Sequence, residues 1–419
     1  MTRVALLSSE PIRPAMAGIG IRYLELARRL PALGFDTVLV SPAAPEESAA
    51  CGLDPARVRH FDPARLAELF ADRDAVVAQG QLANDLLLGA RPDLAVAIDL
   101  YDPWLIENLH YHETLGLDPW RNDHATWVLQ LARGDFFLCS SAEQRLFYVG
   151  FLTALGRVNP ERVADDPTLA GLIAPVPFGL PDALPVHRPF LPPRRPGERR
   201  LLFGGLYDWY DPGTALAALA ALPGEDAVLY VIRNPNPAST PQRRFAELER
   251  RLAAEPALDR RVVRLDWVPA ERRFDLLRDV DLLVSPHRPG LETDLALRTR
   301  FVEALAAGCP VVASAGGTVA RQLAERAAGW VVPTGDAGAL AAALAEVLAG
   351  GDAVAARRRR GFELAAEYRW ERALAPLAAF LAAPRVDPTR ERFAFRPATV
   401  APPDRFTFRV RRALARWSS

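Results

Sequence analysis

Residues 281–317, DLLVSPHRPGLETDLALRTRFVEALAAGCPVVASAGG, constrain this chain more than any other stretch. The apolar run Leu282-Leu283-Val284, bounded by Ser285 and Pro286, reads as a buried strand. A polar loop follows, holding His287, Arg288, Glu292 and Asp294. From Ala296 to Ala307 the pattern is helical, with Phe301, Ala304 and Leu305 on one side. Gly308 stands where a left-handed cap ends such a helix, and Pro310 forbids its continuation. Val311-Val312-Ala313 is another strand, closed by Gly316-Gly317. Strand, loop, helix and strand in this order form the βαβ unit of a parallel sheet.

The start of that helix suits an anion joined to a sugar. A helix N-terminus presents unpaired N–H groups and partial positive charge, and phosphates bind there. Arg298 and Arg300 add fork-shaped, permanently charged donors that match a diphosphate. Glu303, one turn further in, would repel phosphate but can accept from two ribose hydroxyls. The stretch alone is equally compatible with Arg300 and Glu303 forming an i,i+3 surface pair worth about 0.2–0.5 kcal/mol.

The chain has 419 residues, more than one ordinary domain, so two are expected. Formal net charge is zero, which speaks against a nucleic-acid partner. Every basic residue is Arg, and the three cysteines, Cys51, Cys139 and Cys309, are scattered. They fit a reducing compartment and show no metal spacing. No apolar run approaches the roughly 20 residues of a membrane span, and the N-terminus lacks the pattern of a signal peptide. A cytoplasmic protein is therefore expected.

Val4 to Ser8 reads as the first strand. The turn Ala17-Gly18-Ile19-Gly20 then leads into an amphipathic helix bearing Arg22, an arrangement suited to anion binding at a Rossmann-type switch point. Further strands are expected at Thr37 to Val40, Asp74 to Ala78, Leu94 to Ile98 and Phe136 to Ser140. Asp99 and Asp102 follow the strand Leu94 to Ile98 and should point into a cleft; they are three apart, unlike a metal-binding DxD motif. Glu107, His110 and His112 lie on the next segment. Residues 185–199, PVHRPFLPPRRPGER, read as a semi-rigid linker. A second domain then opens with a strand and the turn Gly204-Gly205, where backbone can approach a ligand closely. Strands are expected at Val228 to Ile232, followed by Arg233, and at Val262 to Leu265, followed by Trp267. A long helix is expected from Gly338 to Leu348. In the tail, 386–419, arginines alternate with aromatic residues in RFAFR and RFTFRVRRALARW. This suits either a helix packed on the first domain or contact with an anionic membrane surface.

LRTRFVEALAAGCPVVASAGG, with GWVVPTGD at Gly329 to Asp336, resembles the nucleotide-sugar site of family-four GT-B glycosyltransferases. The resemblance covers nearly the whole chain and is strongest at 15–30, 99–109, 174–182, 201–212 and 281–336. Met16 to Arg22 is similar to that family's N-terminal Met-Ala-Gly-x-Gly-Ile-Arg loop, and Glu303 matches the second Glu of its Glu-x7-Glu motif. The position of the first Glu is Leu295; the nearest candidate is Glu292. Glu292-Thr293 followed by Arg298-Thr299-Arg300 resembles one sub-branch of the family. The family also carries a basic residue after the Gly204-Gly205 turn, and Arg233 is the candidate replacement.

The resemblance implies an α/β chain of two Rossmann-like domains facing a cleft. Residues 1–184 would form the acceptor side, 185–199 the linker, 200–385 the nucleotide-sugar side, and 386–419 a tail returning to the first domain. It implies transfer of a hexosyl-type sugar from a nucleotide diphosphate sugar to an acceptor hydroxyl, with retention, in bacterial surface glycan or glycolipid synthesis. No tightly bound cofactor or metal is implied. Arg298, Arg300 and Asp102 are the expected catalytic residues. Gly18, Gly20, Arg22, Gly204, Gly205, Arg233, Trp267, Glu292 and Glu303 are the expected substrate contacts, with Trp267 beside the base. The acceptor would be a glycan, glycolipid or small molecule, reached from the cytoplasm or the inner face of the membrane. A nucleotide-sugar epimerase and a non-catalytic nucleotide-sugar-binding subunit remain alternatives.

Overall fold

The computed structural model describes residues 1–89, 91, 93–233 and 242–394. Its strands fall into two sheets. The first holds β1 (Arg3–Leu7), β2 (Asp36–Ser41), β3 (Val58–His60), β4 (Ala75–Ala78), β5 (Ala95–Asp99), β6 (Phe136–Cys139) and β7 (Ile173–Pro175), in the order β3-β2-β1-β4-β5-β6-β7. The second holds β8 (Arg199–Gly205), β9 (Ala227–Ile232), β10 (Val262–Leu265), β11 (Leu282–Ser285), β12 (Val311–Ser314) and β13 (Trp330–Val332), in the order β10-β9-β8-β11-β12-β13. Adjacent strands run parallel in both sheets. Helices cover both faces, so central strands such as β4 and β11 are buried along their whole length and read as unbroken apolar runs.

The strands that the sequence announced are present within a residue or two. β3, β7 and β13 were not announced. Each has three residues and sits at a sheet edge, too short for a periodic signal. The polar loop expected before residue 296 contains a short helix, Leu291–Leu295. Extended backbone at Ala296 separates it from the main helix, Thr299–Ala306.

The Pro-rich stretch 185–199 does not span freely between the sheets. It is strapped to the second unit: Asp279 accepts from the N–H groups of Phe190 and Leu191 at 2.6 and 2.7 Å, and Arg194 pairs with Asp281 at 2.5 Å. The chain crosses between units at two other places lying side by side. Leu180 donates its N–H to Tyr368 O at 2.6 Å, and Trp370 donates to Leu180 O at 3.1 Å. Beyond this crossing, helices Trp370–Ala373 and Ala375–Ala382 pack on the first sheet, where the Phe380 ring stacks on Phe136 at 4.8 Å. The second unit therefore ends near residue 369, not at 385. Of the tail, 386–394 lie on the first unit, with Asp387 paired to Arg157 at 2.8 Å and Arg162 at 2.7 Å. RFTFRVRRALARW lies outside the described residues.

Among the described residues no single helix is long and apolar enough to cross a membrane, and no group of three or more His, Cys, Asp or Glu could hold a metal ion.

Candidate active site

Strand order reverses between β1 and β4 in the first sheet and between β8 and β11 in the second, and loops at such reversals form ligand crevices. The two crevices face one another across a cleft of about 370 Å³. The first unit contributes Met16, Gly18, Ile21, Tyr101, Asp102, Glu107 and Phe178. The second contributes Tyr207, Trp209, Trp267, Arg273, Arg298, Arg300 and Glu303.

Arg300 carries the cleft's uncommitted positive charge. Its Nη1 is buried and has no hydrogen-bond partner among the described residues. The guanidinium lies against the β8 bulge, where Gly204 has φ +81°. A side chain there would be strained in backbone and would collide with Arg300, so Gly204 makes room for the arginine. Gly205 lies beside the same guanidinium.

Arg298 also lines the cleft but is committed. Its two terminal nitrogens form a fork with the Glu292 carboxylate at 2.7 and 2.6 Å, and the guanidinium lies over the rings of Trp209 and Tyr210 at 5.9 and 5.6 Å. Of the two arginines expected to be catalytic, both line the cleft; Arg298 reaches it as half of an ion pair, and Arg300 is unpaired among the described residues. Glu292 is corrected too: its side chain is fully buried and serves Arg298 from behind the wall. Glu303 lines the cleft and accepts from Arg273 Nε at 2.6 Å. Trp267 lines the cleft, half-buried. Arg233 is exposed and lies outside the lining; the basic residue present there is Arg273.

On the first unit, Arg22 is not available to a ligand. It is fully buried, donates to both Asp99 oxygens at 2.6 and 3.1 Å, and donates to the carbonyls of Val176 and Pro177 at 2.9 and 3.1 Å. The Gly20 amide is also taken. The Glu10 carboxylate accepts from the N–H groups of Gly20, at 2.6 Å, and Ala17. An internal carboxylate thus occupies the start of helix Gly18–Arg29, where an anion would otherwise sit. Gly18 lines the cleft, packed against the Tyr101 hydroxyl. Asp99 faces Arg22, and Asp102 faces the cleft.

Asp102 has a buried Oδ1 without a hydrogen-bond partner among the described residues. Burial, then the neighbouring Asp99 charge, pushes its carboxyl up to about 7. Glu107, five residues on in the helix Trp104–Asn108, is raised well above the ordinary range by burial and by the charges of Asp102 and Glu292. Two carboxyls near one another in a low-dielectric cleft resist simultaneous ionisation. Behind the second wall, the His287 ring lies 4.8 Å from that of Tyr210, tilted by 36°, and is held neutral by burial and by the charges of Arg298 and Arg300.

Sequence reasoning did not assign Glu107, Arg273 or the aromatic wall of Tyr101, Tyr207 and Trp209. The rings of Tyr207 and Trp209 stack at 5.0 Å, and the Trp209 Nε1 is buried without a partner. In a chain where every basic residue is Arg, a single functional Arg has no distinguishing signal; the cluster Tyr207, Trp209, Tyr210 could have been noticed as unusual after a Gly-Gly turn.

Residues 201–350 match the family model described as glycosyl transferases group 1. Over these residues the second unit is similar to the group 1 glycosyl transferases. The matched span holds Trp267, Arg273, Glu292, Arg298, Arg300 and Glu303, the polar side of that domain's wall. Solved structures similar to the whole chain include sucrose-phosphate synthase of Thermosynechococcus elongatus, at 16% identity and TM-score 0.62, covering 91% of this chain and 98% of that one. Anabaena HepE in complex with UDP-glucose is similar at 15% identity and TM-score 0.65, covering 91% and 100%. WaaG, a glycosyltransferase involved in lipopolysaccharide biosynthesis, is similar at 16% identity and TM-score 0.59, with the same coverage. At these identities the likeness establishes the fold, which is GT-B: two parallel-sheet α/β domains facing a cleft. No curated protein matches the sequence.

Proposed function

We propose that this protein moves a sugar from a nucleoside diphosphate sugar to an acceptor hydroxyl. The observation that carries the reading is Arg300, a cleft-lining guanidinium with a buried, unpartnered nitrogen, one turn before Glu303 on a helix of the glycosyl transferase domain. HepE, with the same fold, holds UDP-glucose, which supports a donor of that class. Residues 1–184 would hold the acceptor and the second domain the donor.

In this reading Glu303 accepts from the donor ribose and Trp267 lies beside the base. The bond between the anomeric carbon and the diphosphate breaks as the acceptor oxygen bonds to that carbon. Arg300 stabilises the charge that develops on the departing diphosphate, an electrostatic effect strengthened by the low dielectric of the cleft. The hydroxyl proton passes to the leaving phosphate, with Asp102 orienting the hydroxyl. This chemistry needs no tightly bound cofactor, and the resemblance of the Glu303 helix favours hexosyl transfer with retention. Synthesis of a bacterial surface glycan or glycolipid at the inner face of the membrane, with the arginine- and aromatic-bearing tail as a peripheral contact, fits the same reading.

A thermal-shift screen against nucleotide sugars tests it first, because a ligand that binds only the folded state raises Tm by mass action. Stabilisation by at least one nucleotide sugar, followed by appearance of glycosylated product, is expected. Release of an epimer without acceptor would replace this reading with an epimerase. Binding with neither transfer nor hydrolysis would replace it with a non-catalytic subunit.

A further inference from the structure

Among the described residues, the first-domain wall of the cleft offers an anion no free cation. Its deepest cation, Arg22, is saturated by Asp99 and two carbonyls. Two amides at its helix start, those of Ala17 and Gly20, are taken by Glu10. Arg13, on the same loop, is exposed and outside the lining. The ionisable residues that do line this wall, Asp102 and Glu107, are both acids. What remains is apolar surface: Met16, Ile21, Tyr101 and Phe178, facing the stacked pair Tyr207 and Trp209 across the cleft.

From this charge pattern we infer that the acceptor is an uncharged molecule with an apolar or ring-shaped face, and not a phosphorylated or carboxylated sugar. The inference rests on the proposed transfer reaction and deepens it by naming the acceptor class. A phosphate brought to the first wall would be desolvated with no cation on that wall to receive it, beside two carboxyls. Burying such a group unpaired is strongly unfavourable. An aryl or alkyl glycoside loses only water that covered apolar surface, and its sugar or aryl ring can stack on the aromatic wall. Arg300, the one uncommitted arginine of the lining among the described residues, lies on the opposite wall, so the two walls sort a charged donor from an uncharged acceptor.

Calorimetry on the full chain tests this, with and without UDP. The probes are phenyl and octyl glycosides of glucose, galactose and N-acetylglucosamine, against the 6-phosphates of the same sugars. We expect at least one neutral glycoside to bind tenfold or more tightly than its phosphate counterpart. Ile21→Ala should weaken that binding about threefold, as lost apolar contact requires, and leave UDP affinity unchanged. Ile21→Arg should narrow the gap by admitting the phosphate. Equal or tighter binding of the sugar phosphates, or failure of every neutral glycoside to bind, overturns the inference. UDP binding in the same titrations separates the two levels: a protein that ignores UDP and every other nucleotide counts against the transfer reading, whereas one that binds UDP yet prefers phosphorylated sugars sinks only the acceptor class.

Discussion

A Cβ atom on Gly204 would stand 2.1 Å from Nη1 of Arg300. The glycine and the arginine thus share one space, and the arginine is held at the cleft without any carboxylate partner among the described residues. A charge kept free in this way is available to a ligand's charge. Arg300→Ala should therefore lower turnover more than it weakens donor binding, because the interaction grows as the diphosphate departs. Steady-state kinetics check this; a change confined to KM would remove the leaving-group role. Tm should be little altered, since no partner is orphaned.

Arg22→Ala should behave in the opposite manner. It leaves the buried Asp99 carboxylate without its counter-charge, which typically costs about 3–5 kcal/mol. A large loss of stability in urea titrations is expected, with any loss of activity following from it. A stable Arg22→Ala protein defective only in transfer would return Arg22 to the ligand.

Glu303 is held at the cleft by Arg273 at 2.6 Å. Glu303→Ala removes a charged acceptor and should weaken nucleoside diphosphate binding by about 1–3 kcal/mol. The ribose role has a sharper signature. The unaltered protein should bind a 2′-deoxy nucleotide more weakly than the ribonucleotide, and Glu303→Ala should bind the two alike. Calorimetry showing the same preference in both proteins would place the ribose elsewhere.

Asp102 gives a pH prediction with a defined sign. Its folded-state carboxyl is raised to about 7, above the ordinary value of 3.8. The folded protein therefore holds a proton that the unfolded chain has released. The stability contributed by the protonated group is fully present below about pH 4 and is lost as pH rises through about 7. Glu107 shifts in the same direction. Asp102→Asn, which cannot ionise, should gain Tm relative to the unaltered protein as pH goes from 5 to 8. A Tm difference that stays constant over this range would mean that Asp102 ionises normally.

The sequence by itself determined the strands, because parallel strands buried on both faces must be apolar throughout: 262–265 appears as expected, and 282–284 and 311–313 each extend by one residue. It also placed Arg300, Glu303, Asp102, Gly18 and Trp267 on what became one cleft, since each follows a strand or opens a helix, and a doubly wound sheet delivers such positions to the same edge. Only the tertiary structure decided which charges are free. Arg22, Arg298 and Arg300 look alike in a chain whose basic residues are all Arg. Their partners Asp99 and Glu292 lie 77 and 6 residues away, and Glu10 lies 10 residues from Gly20. Pairing over such distances is set by how sheets and loops pack, and a local pattern carries no record of it. The same reason moved the domain crossing from the Pro-rich stretch to Leu180 and Trp370: composition marks where a chain can be stiff, while the contacts of Asp279, Asp281 and the Trp370 backbone N–H decide where it crosses.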